Sequence, residues 1–429
     1  MRAILRPRAV DELQRQVRAA SAEGAAIRAV GTGHSWSALV PTDGTLVDTR
    51  SLERCLEQGP GWIHVEAGMT LKSLNDHLAS FGQRVPGLTI YEHLTVGGVI
   101  ATGSHGSDLV HGTVADQVLE LDVVRPDGEI VRITEADGDT LRAARLGLGA
   151  LGVTASVKLR CVPARTMLTR DVILPLEEGL ERLEELARAH QHLSAYCFPY
   201  SRKMWLYAAD PTDEPADFAG LAKAGDHAWQ YLWFRGLSRF VKAAIAVWPP
   251  ITYPLARLAE RFPVERRRVR SSRDAHHYLC TIPKLVDCEY VVPIRHARLA
   301  YRALVDLVEE YRAGGRYPIN MALHGRFIKG SDALLSPTRG VDSMTLEAAT
   351  APAPDTHAFY REFGARMLGD FDGCPHWGKW FHSAEPLKAK YAGRLERFEA
   401  VRRAFDPDGA FLNPLLRSLL PAEAPTGVN

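Results

Sequence analysis

The spacing of apolar residues along the first 165 positions predicts short strands that alternate with short helices. Apolar side chains recur every three or four residues in some stretches and every second residue in others. A Pro-Asp-Gly turn between the last two strands is typical of a β-hairpin. The predicted elements are helices at 10–22 and 71–81 and strands at 26–30, 46–48, 63–67, 118–124 and 129–133.

After about residue 166 the pattern changes. The apolar spacing predicts longer helices at 176–190 and 295–311, with strands between them such as 288–292. A chain of 429 residues is too long for one ordinary core. We therefore expect an α+β protein in which a first part of strands and short helices is followed by a second, mixed domain.

Two glycine-rich loops stand out in the first part. Gly31-Thr32-Gly33-His34-Ser35-Trp36 directly follows a predicted strand, and the run 96–107 contains four glycines. Because glycine has no Cβ, the backbone of such loops is able to approach a phosphate closely. Two loops of this kind in one domain indicate a dinucleotide.

A third glycine run, 147–152, has the G-x-G-x-x-G spacing of nicotinamide-binding Rossmann domains. That motif requires a strand before it and a helix after it. Here residues 139–146 favour a helix and residues 153–159 favour a strand. The context is reversed, so we expect no nicotinamide site.

These loops resemble the flavin domain of the vanillyl-alcohol-oxidase type, also called PCMH-type, and in particular its sugar branch of aldonolactone, gulonolactone and alditol oxidases. Glu289-Tyr290 followed by Pro293 is similar to the strand that opens the family's substrate sheet, and residues 375–379 are similar to its C-terminal return. The implied division is an FAD-binding domain, a mixed substrate-binding (cap) domain and a C-terminal segment that packs back on the flavin domain, over residues 1–165, 166–373 and 374–429.

The resemblance also implies the cofactor. In that branch the histidine of the G-x-G-H-S loop is joined covalently to the 8α carbon of FAD, and His34 is the matching residue. Taken alone, a histidine in such a turn more often only hydrogen-bonds within it. The residues implied to contact FAD are Gly31, Thr32, Gly33, His34, Ser35, Trp36, Gly97, Gly98, Ala101, Thr102, Gly103, Ser104, His105, Gly106, Gly149, Gly152, Val153 and Asn413.

Flavin-dependent alcohol oxidation needs a group that accepts the hydroxyl proton, and positive charge beside the reduced ring. The alditol oxidases use an acid, a spacer and an arginine on one strand, plus the lysine of H-W-G-K. The matching residues here are His324, Arg326 and Lys379, with His324 where an acid is expected. Residues two apart on a strand share a face, and an imidazole with a pKa of about 6.5 is able to act as the base. The alternative is a histidine that only orients Arg326 or the substrate.

The implied substrate contacts depart from the alditol oxidase pattern. Ile90 occupies the place of a serine that binds a substrate hydroxyl, which favours a substrate with fewer hydroxyls than an alditol. Ser343 and Thr345, on the predicted strand 342–347, present hydroxyls to the same pocket if that register holds.

Composition narrows the classes further. A formal net charge of +1 argues against a nucleic-acid partner. Because the N-terminus lacks the apolar run of a signal peptide and the six cysteines contain no C-x-x-C pair, we expect a cytoplasmic location. The pairs His105 with His111 and His376 with His382 come without a carboxylate at ligand spacing, so no metal site is predicted.

The aromatic stretch 231–259 admits two interpretations. It contains Pro249, Pro250 and Pro254, and its uncharged part is too short to span a bilayer. The stretch either covers the substrate pocket or touches a membrane surface peripherally, which would make a cytoplasmic protein membrane-associated.

The resemblance implies an FAD-dependent oxidase that takes a hydride from the CH–OH group of an aldonolactone or related sugar and passes the electrons to O₂, giving H₂O₂. One alternative is a flavin dehydrogenase or biosynthetic oxidase for a larger, less polar alcohol. The other is a non-catalytic protein that keeps the flavin scaffold. The presence of both Arg326 and Lys379 favours catalysis over that last alternative.

Overall fold

Two large antiparallel sheets and a small parallel one position the site. The computed structural model describes residues 1–87, 89–217, 220–259, 266–275 and 285–420. Within them the helices are Val10–Ala22, Leu71–Ala79, Val96–Thr102, Asp139–Ala144, Leu176–Glu181, Leu183–Ala189, Gly220–Tyr231, Ser238–Val247, Thr252–Ala259, Ala297–Ala313, Thr356–Asp370, Glu385–Phe405 and Pro414–Leu419, with a π-helical turn at Leu232–Leu237.

The first part of the chain contains the small sheet and a five-stranded sheet. In the small sheet Thr45–Asp48 lies between Ala3–Leu5 and Ile27–Val30, and all three strands are parallel. Leu13 and Val17 of the first helix lie four residues apart on one face of that helix, and both are fully buried against the small sheet. The strand order of the five-stranded sheet is Cys55–Gly59, Trp62–Glu66, Val153–Arg160, Val118–Val124 and Ile130–Thr134.

The predicted hairpin is confirmed. Strands Val118–Val124 and Ile130–Thr134 pair antiparallel through the Pro-Asp-Gly turn. Gly128 has a φ of +81°, a left-handed conformation that glycine adopts without strain. The Asp127 carboxylate accepts a hydrogen bond from the Glu129 N–H at 3.0 Å, which closes the turn.

An eight-stranded antiparallel sheet forms the second part. Its order is Arg266–Ser271, Thr166–Pro175, Lys203–Thr212, His192–Cys197, Leu323–Ile328, Ser343–Glu347, Glu289–Pro293 and Cys374–Pro375. Helices Ala297–Ala313 and Thr356–Asp370 bury their apolar side chains in the core beside it. In strand Leu323–Ile328, a Cβ on Gly325 would lie 2.9 Å from the ring of Tyr301 on helix Ala297–Ala313. The odd-numbered residues of this strand therefore face the helices, and its even-numbered residues face the other way.

The chain then returns to the first part. Strand Cys374–Pro375 pairs with Val291 and Tyr290, after which helix Glu385–Phe405 packs against helix Asp139–Ala144. Leu387, Tyr391 and other residues of this long helix belong to the same core as the five-stranded sheet. The predicted α+β fold, with a first domain of glycine loops followed by a second sheet domain, is confirmed.

Two sequence expectations need adjustment. The predicted helix 176–190 is two helices, Leu176–Glu181 and Leu183–Ala189, because Arg182 leaves the helical conformation with φ −89° and ψ 0°. The stretch 231–259 is helical but interrupted: a π-helical turn precedes Ser238–Val247, Trp248 leaves the helical conformation, and Pro249–Ile251 form a 3-10 turn before helix Thr252–Ala259. No helix among the described residues combines the length and apolarity that crossing a bilayer requires.

Candidate active site

A cavity of about 1070 Å³ lies between the glycine loops and the eight-stranded sheet. Small-molecule pockets usually occupy about 300–1,000 Å³, so this one has room for a dinucleotide together with a small substrate. The sequence-predicted residues that line it are Gly31, Thr32, Gly33, His34, Ser35, Trp36, Ile90, Gly97, Gly98, Ala101, Thr102, Ser104, His105, Gly149, Gly152, His324, Arg326 and Lys379.

The first glycine loop is held from both sides. A Cβ on Gly31 would lie 1.9 Å from Thr95 Oγ1, so only glycine fits there, while Gly33 has a φ of +67° and open space beside it. The Trp36 N–H donates to the Gly378 carbonyl at 2.8 Å, and the Trp36 indole N–H donates to the Leu285 carbonyl at 2.8 Å. The loop is therefore fixed to the C-terminal segment while its backbone faces the cavity.

His34 stands on this loop with its ring among other rings. The ring centroid lies 5.0 Å from that of Trp36 and 4.8 Å from that of Tyr91. Burial lowers the pKa of His34, and the positive charge of Lys379 lowers it further. The neutral imidazole, which has a free nitrogen lone pair, is thus the favoured form.

The second and third glycine runs form the facing wall. A Cβ on Gly97 would lie 3.0 Å from the side chain of Ala67, and one on Gly152 would lie 2.5 Å from the Val124 carbonyl. A helix precedes the third run and a strand follows it, as predicted. Glycine at both positions lets the wall pack closely on the neighbouring segments, and both residues also line the cavity. A wall of exposed backbone of this kind fits the FAD that the loops imply.

Arg28 adds positive charge to this wall. It belongs to the strand just before the first loop, is buried, and lines the cavity. Its guanidinium donates to the carbonyl oxygens of Leu39 at 2.8 Å, Gly149 at 3.0 Å, Phe411 at 2.7 Å and Leu148 at 2.6 Å. Burial lowers the pKa of Arg28 to about 10. Sequence analysis passed over this residue, although an arginine inside an apolar strand was a visible signal.

His324 and Arg326 project from one face of Leu323–Ile328 into the cavity. Arg326 Nη2 lies 2.8 Å from Glu289 Oε1 and 3.1 Å from Glu347 Oε2. The His324 ring stacks on Tyr196 at 4.1 Å, and Tyr196 in turn stacks on Trp205 at 4.7 Å. The stack covers one face of the His324 ring.

Lys379 reaches the same cluster from the C-terminal segment. Its Nζ contacts the Asp287 carboxylate, lies 2.9 Å from Glu347 Oε1, and stands 4.9 Å over the ring of Trp36. Three acids therefore surround two cations: Glu289 and Glu347 on neighbouring strands, and Asp287 two residues before the first of those strands. His324, Arg326 and Lys379 therefore lie together at this end of the cavity.

The charges in the cluster balance. Burial would raise the pKa values of Glu289 and Glu347, but the neighbouring cations hold both well below their usual range. Burial and the charge of Glu347 raise the pKa of Asp287 instead. Against their own burial, the acids raise the pKa values of Arg326 and Lys379. The two cations thus favour the ionised forms of Glu289 and Glu347, whereas burial and the charge of Glu347 favour the protonated form of Asp287.

His324 is neutral beside them. Burial is the main cause that lowers the pKa of His324 to about 4, and the charge of Arg326 adds to it. Because an ionised Glu347 only accepts hydrogen bonds, the 3.3 Å contact places the His324 proton on Nδ1. The lone pair is then on Nε2, a buried atom without a hydrogen-bond partner among the described residues.

Sequence analysis missed the acids. Ser343, Thr345 and Glu347 alternate along one strand. Because every second residue of a strand shares a face, this spacing was a signal that Glu347 lies on the face of the other two. Glu289 was noted only as the mark of a strand. Asp287 carried no signal, because its place beside Lys379 depends on the order of strands in the sheet.

Six predicted contact residues do not line the cavity among the described residues. The Ser343 hydroxyl donates to the Val341 carbonyl at 2.8 Å, and Thr345 is fully buried, so neither hydroxyl faces a substrate there. Asn413 instead donates from Nδ2 to the carbonyls of Ala38, Leu39 and Pro41. It shapes the loop that follows the first glycine run. The six are Gly103, Gly106, Val153, Ser343, Thr345 and Asn413.

The fold brings together a histidine pair that spacing along the chain did not suggest, His105 with His376. Ligand atoms of His105, Glu289 and His376 lie within 4.8 Å of one another, which spacing along the chain could not reveal. Their hydrogen bonds argue against a metal. His376 Nδ1 accepts from the Gly378 N–H at 3.0 Å, which leaves the proton of the neutral ring on Nε2. Glu289 is already paired with Arg326 at 2.8 Å, so a second cation would be repelled.

The interrupted helices of 231–259 form part of the cavity wall. Ser238, Val241 and Ile245 line it from one face of helix Ser238–Val247, together with Lys242. Phe240, Val247 and Trp248 point away from it and are 75%, 87% and 56% exposed. The segment has two faces, one toward the cavity and one toward solvent.

Comparison with known proteins gives two matching family models. The model described as D-arabinono-1,4-lactone oxidase matches residues 157–419, and the model described as FAD binding domain matches residues 1–134. L-gulono-1,4-lactone dehydrogenase of Mycobacterium tuberculosis is 28% identical over 424 residues, which are 97% of this chain and 96% of that protein.

Further relatives carry related names. L-gulonolactone oxidase of Scyliorhinus torazame is 27% identical over 96% of this chain and 93% of that protein. D-arabinono-1,4-lactone oxidase of Eremothecium gossypii is 26% identical over 96% of this chain and 91% of that protein. Among solved structures, cholesterol oxidase from B. sterolicum superposes with a TM-score of 0.77 and 17% identity, covering 97% of this chain and 94% of that chain, which shows a likeness of fold.

Proposed function

The chain belongs to the D-arabinono-1,4-lactone oxidase family, and from that premise we propose how its cavity oxidises a substrate. It is an FAD-dependent oxidoreductase that acts on the CH–OH group of a sugar lactone, as its family and its relatives' names indicate. The observation that carries the proposal is one cavity that combines the three glycine runs with His324, Arg326 and Lys379.

FAD supplies the acceptor for the substrate hydride. The glycine loops and Arg28 would hold it, and the positive charges of Arg326 and Lys379 would stabilise the negative charge that the flavin gains on reduction. His324 Nε2 accepts the proton of the substrate hydroxyl as the hydride leaves. Tyr196 and Trp205 exclude water from this step.

We propose that His34 tethers the flavin covalently. Its ring lines the cavity, and the neutral form that carries the bonding lone pair is favoured. In acid-precipitated protein the yellow colour stays in the pellet when flavin is covalently bound. We expect His34→Ala to release it, whereas His93→Ala, a histidine outside the cavity wall on the neighbouring loop, keeps it. Colour that remains in the His34→Ala pellet would identify another attachment point.

The electron acceptor of the proposal is O₂, with H₂O₂ as product. The test is anaerobic bleaching of the purified yellow protein by a panel of aldonolactones, alditols and apolar alcohols, followed by mixing with aerated buffer. We expect bleaching by a lactone and reoxidation that accelerates with oxygen. Reoxidation unaffected by oxygen would make the protein a dehydrogenase, like the relative named so, and no bleaching by any lactone would refute the proposed substrate class.

We also propose that the outward face of 238–259 contacts an anionic lipid surface. Phe240, Val247 and Trp248 are exposed together, and the stretch contains Arg239, Lys242 and Arg257 but no acid. Vesicles containing phosphatidylserine should sediment the protein, and phosphatidylcholine vesicles should not. Phe240→Ser with Trp248→Ser should abolish sedimentation, whereas Leu299→Ser, at an exposed leucine elsewhere, should not. Equal sedimentation with both kinds of vesicle would contradict the proposal.

A further inference from the structure

One carboxylate touches all three predicted catalytic side chains. Glu347 Oε2 lies 3.3 Å from His324 Nδ1 and 3.1 Å from Arg326 Nη2, and Glu347 Oε1 lies 2.9 Å from Lys379 Nζ. Glu347 is also part of the cavity wall. The other two acids of the cluster make no hydrogen bond to His324: Glu289 pairs with Arg326 and His105 and lies 4.0 Å from Lys379 Nζ, and Asp287 contacts Lys379.

The sheet fixes this arrangement. Strands Leu323–Ile328 and Ser343–Glu347 are antiparallel neighbours, and their register sets Glu347 directly opposite His324. Residues opposite one another across such a pair have side chains within direct reach. The acid that the family pattern expects at position 324 is replaced by an imidazole, and an acid stands across the strand pair instead.

We propose that Glu347 is a positioning residue that makes His324 the base. Resting on the proposed function, its role is to hold the proton of His324 on Nδ1, so that Nε2 faces the substrate with its lone pair. In the step, the substrate carbon gives its hydrogen with two electrons to FAD, the hydroxyl proton passes to Nε2, and a carbonyl forms. The ionised Glu347 then stabilises the imidazolium.

The surroundings show why His324 needs this partner. The groups that face it are Glu347, Arg326, Glu289 and the stacked ring of Tyr196. Burial and Arg326 both disfavour a charged imidazole, whereas the two carboxylates favour it, and Glu347 alone is hydrogen-bonded to the ring. Without Glu347, no hydrogen bond would hold the proton on Nδ1, and Glu289 alone of the two carboxylates would favour the charge that follows proton transfer.

The test is anaerobic stopped-flow reduction of the flavin-loaded protein by the lactone that bleaches it best. We expect Glu347→Gln to slow the limiting reduction rate about 100-fold with little change in the apparent substrate Kd. His324→Gln should slow it similarly, and the double variant should be no slower than His324→Gln, since the two act as a unit. A loss under about threefold, or a double variant whose loss is the product of the two, overturns the proposal.

Sulfite binding separates positioning from damage to the site. Sulfite is an anion that adds to oxidised flavins, so removing the charge of Glu347 should tighten its binding even as reduction slows. Weaker binding of both sulfite and lactone would mean that Glu347 only holds the pocket together, which overturns the proposal. If Glu347→Gln does not retain flavin, Glu347→Asp serves, with slower reduction expected at unchanged sulfite affinity.

A matched control is Glu399→Gln. Glu399 is another buried carboxylate that pairs with arginines, Arg402 and Arg403, but it lies outside the cavity wall. Its reduction rate should stay within about twofold of wild type. Wild-type protein that no lactone bleaches would refute the proposed function itself, whereas a bleachable wild type with unaffected Glu347 variants refutes only this inference.

Discussion

The buried guanidinium of Arg28 allows a prediction whose size follows from its hydrogen bonds. In Arg28→Met the carbonyls of Leu148, Gly149 and Phe411 lose their donor, while Leu39 keeps a second donor in Asn413 Nδ2. A buried carbonyl left unpaired costs about 1–3 kcal/mol, so three cost roughly 6 kcal/mol. Methionine also removes the cost of burying a charge. The lowered pKa of Arg28 puts that cost at about 3 kcal/mol, which the variant regains. The net expectation is a loss of about 3 kcal/mol.

Thermal unfolding measures this loss. For a folding unit of about 150–250 residues, 3 kcal/mol corresponds to a fall in Tm of roughly 6–12 °C. Arg28→Lys, which keeps the charge and some of the donors, should fall between Arg28→Met and wild type. The control is Arg15→Met at an exposed helix position, where water screens the pair with Asp11 and its loss should leave the Tm nearly unchanged. A Tm for Arg28→Met within 1–2 °C of wild type (about the control's change) would refute the reasoning.

Three further predictions follow from the titrating groups. Because burial lowers the pKa of His324 to about 4, the limiting rate of flavin reduction should be flat from about pH 6 to 8 and fall only near pH 4, and an inflection near pH 6.5 would contradict this. Tyr196→Ala uncovers the ring that stacks on His324, so the acid limb of the same profile should move up by about one pH unit; an unchanged profile would show that the stack does not desolvate the base. Asp108 is buried, but hydrogen bonds from His111 outweigh that burial and hold its pKa at about 2. The ionised Asp108 therefore stabilises the fold above about pH 4, and this stabilisation is lost as the pH falls through 2. Asp108→Asn should therefore lower the free energy of unfolding by about 2 kcal/mol at pH 7, measured by denaturant titration, and equal stability of the two proteins at pH 7 would refute it.

Local patterns predicted the elements that local forces decide. The hairpin at 118–134 was predictable because its proline and Asp-Gly residues select one turn, and the helix at 10–22 because its apolar positions form one stripe. The break at Arg182 was not, because apolar spacing continues across it. The shared face of His324 and Arg326 follows from period-two alternation alone.

The rest of the candidate site depends on sheet order. Glu347 meets His324 only because two strands pair in one register, and Asp287 meets Lys379 only because the C-terminal strand adds to the edge beside Glu289–Pro293. No spacing along the chain encodes these neighbours. Asn413 shows the reverse error, since a residue implied to touch FAD instead ties down the loop at 38–41.

The late return of the chain has a consequence for biogenesis. Lys379 completes the charge cluster, and Gly378 anchors the loop of His34, yet both leave the ribosome more than 300 residues after that histidine. A nascent chain that ends before residue 374 would carry His34 without the anchor at Gly378, and Glu347 would keep Arg326 but lack Lys379. The wall of the cavity beside His34 is thereby completed only late in translation, when the last fifth of the chain is being made.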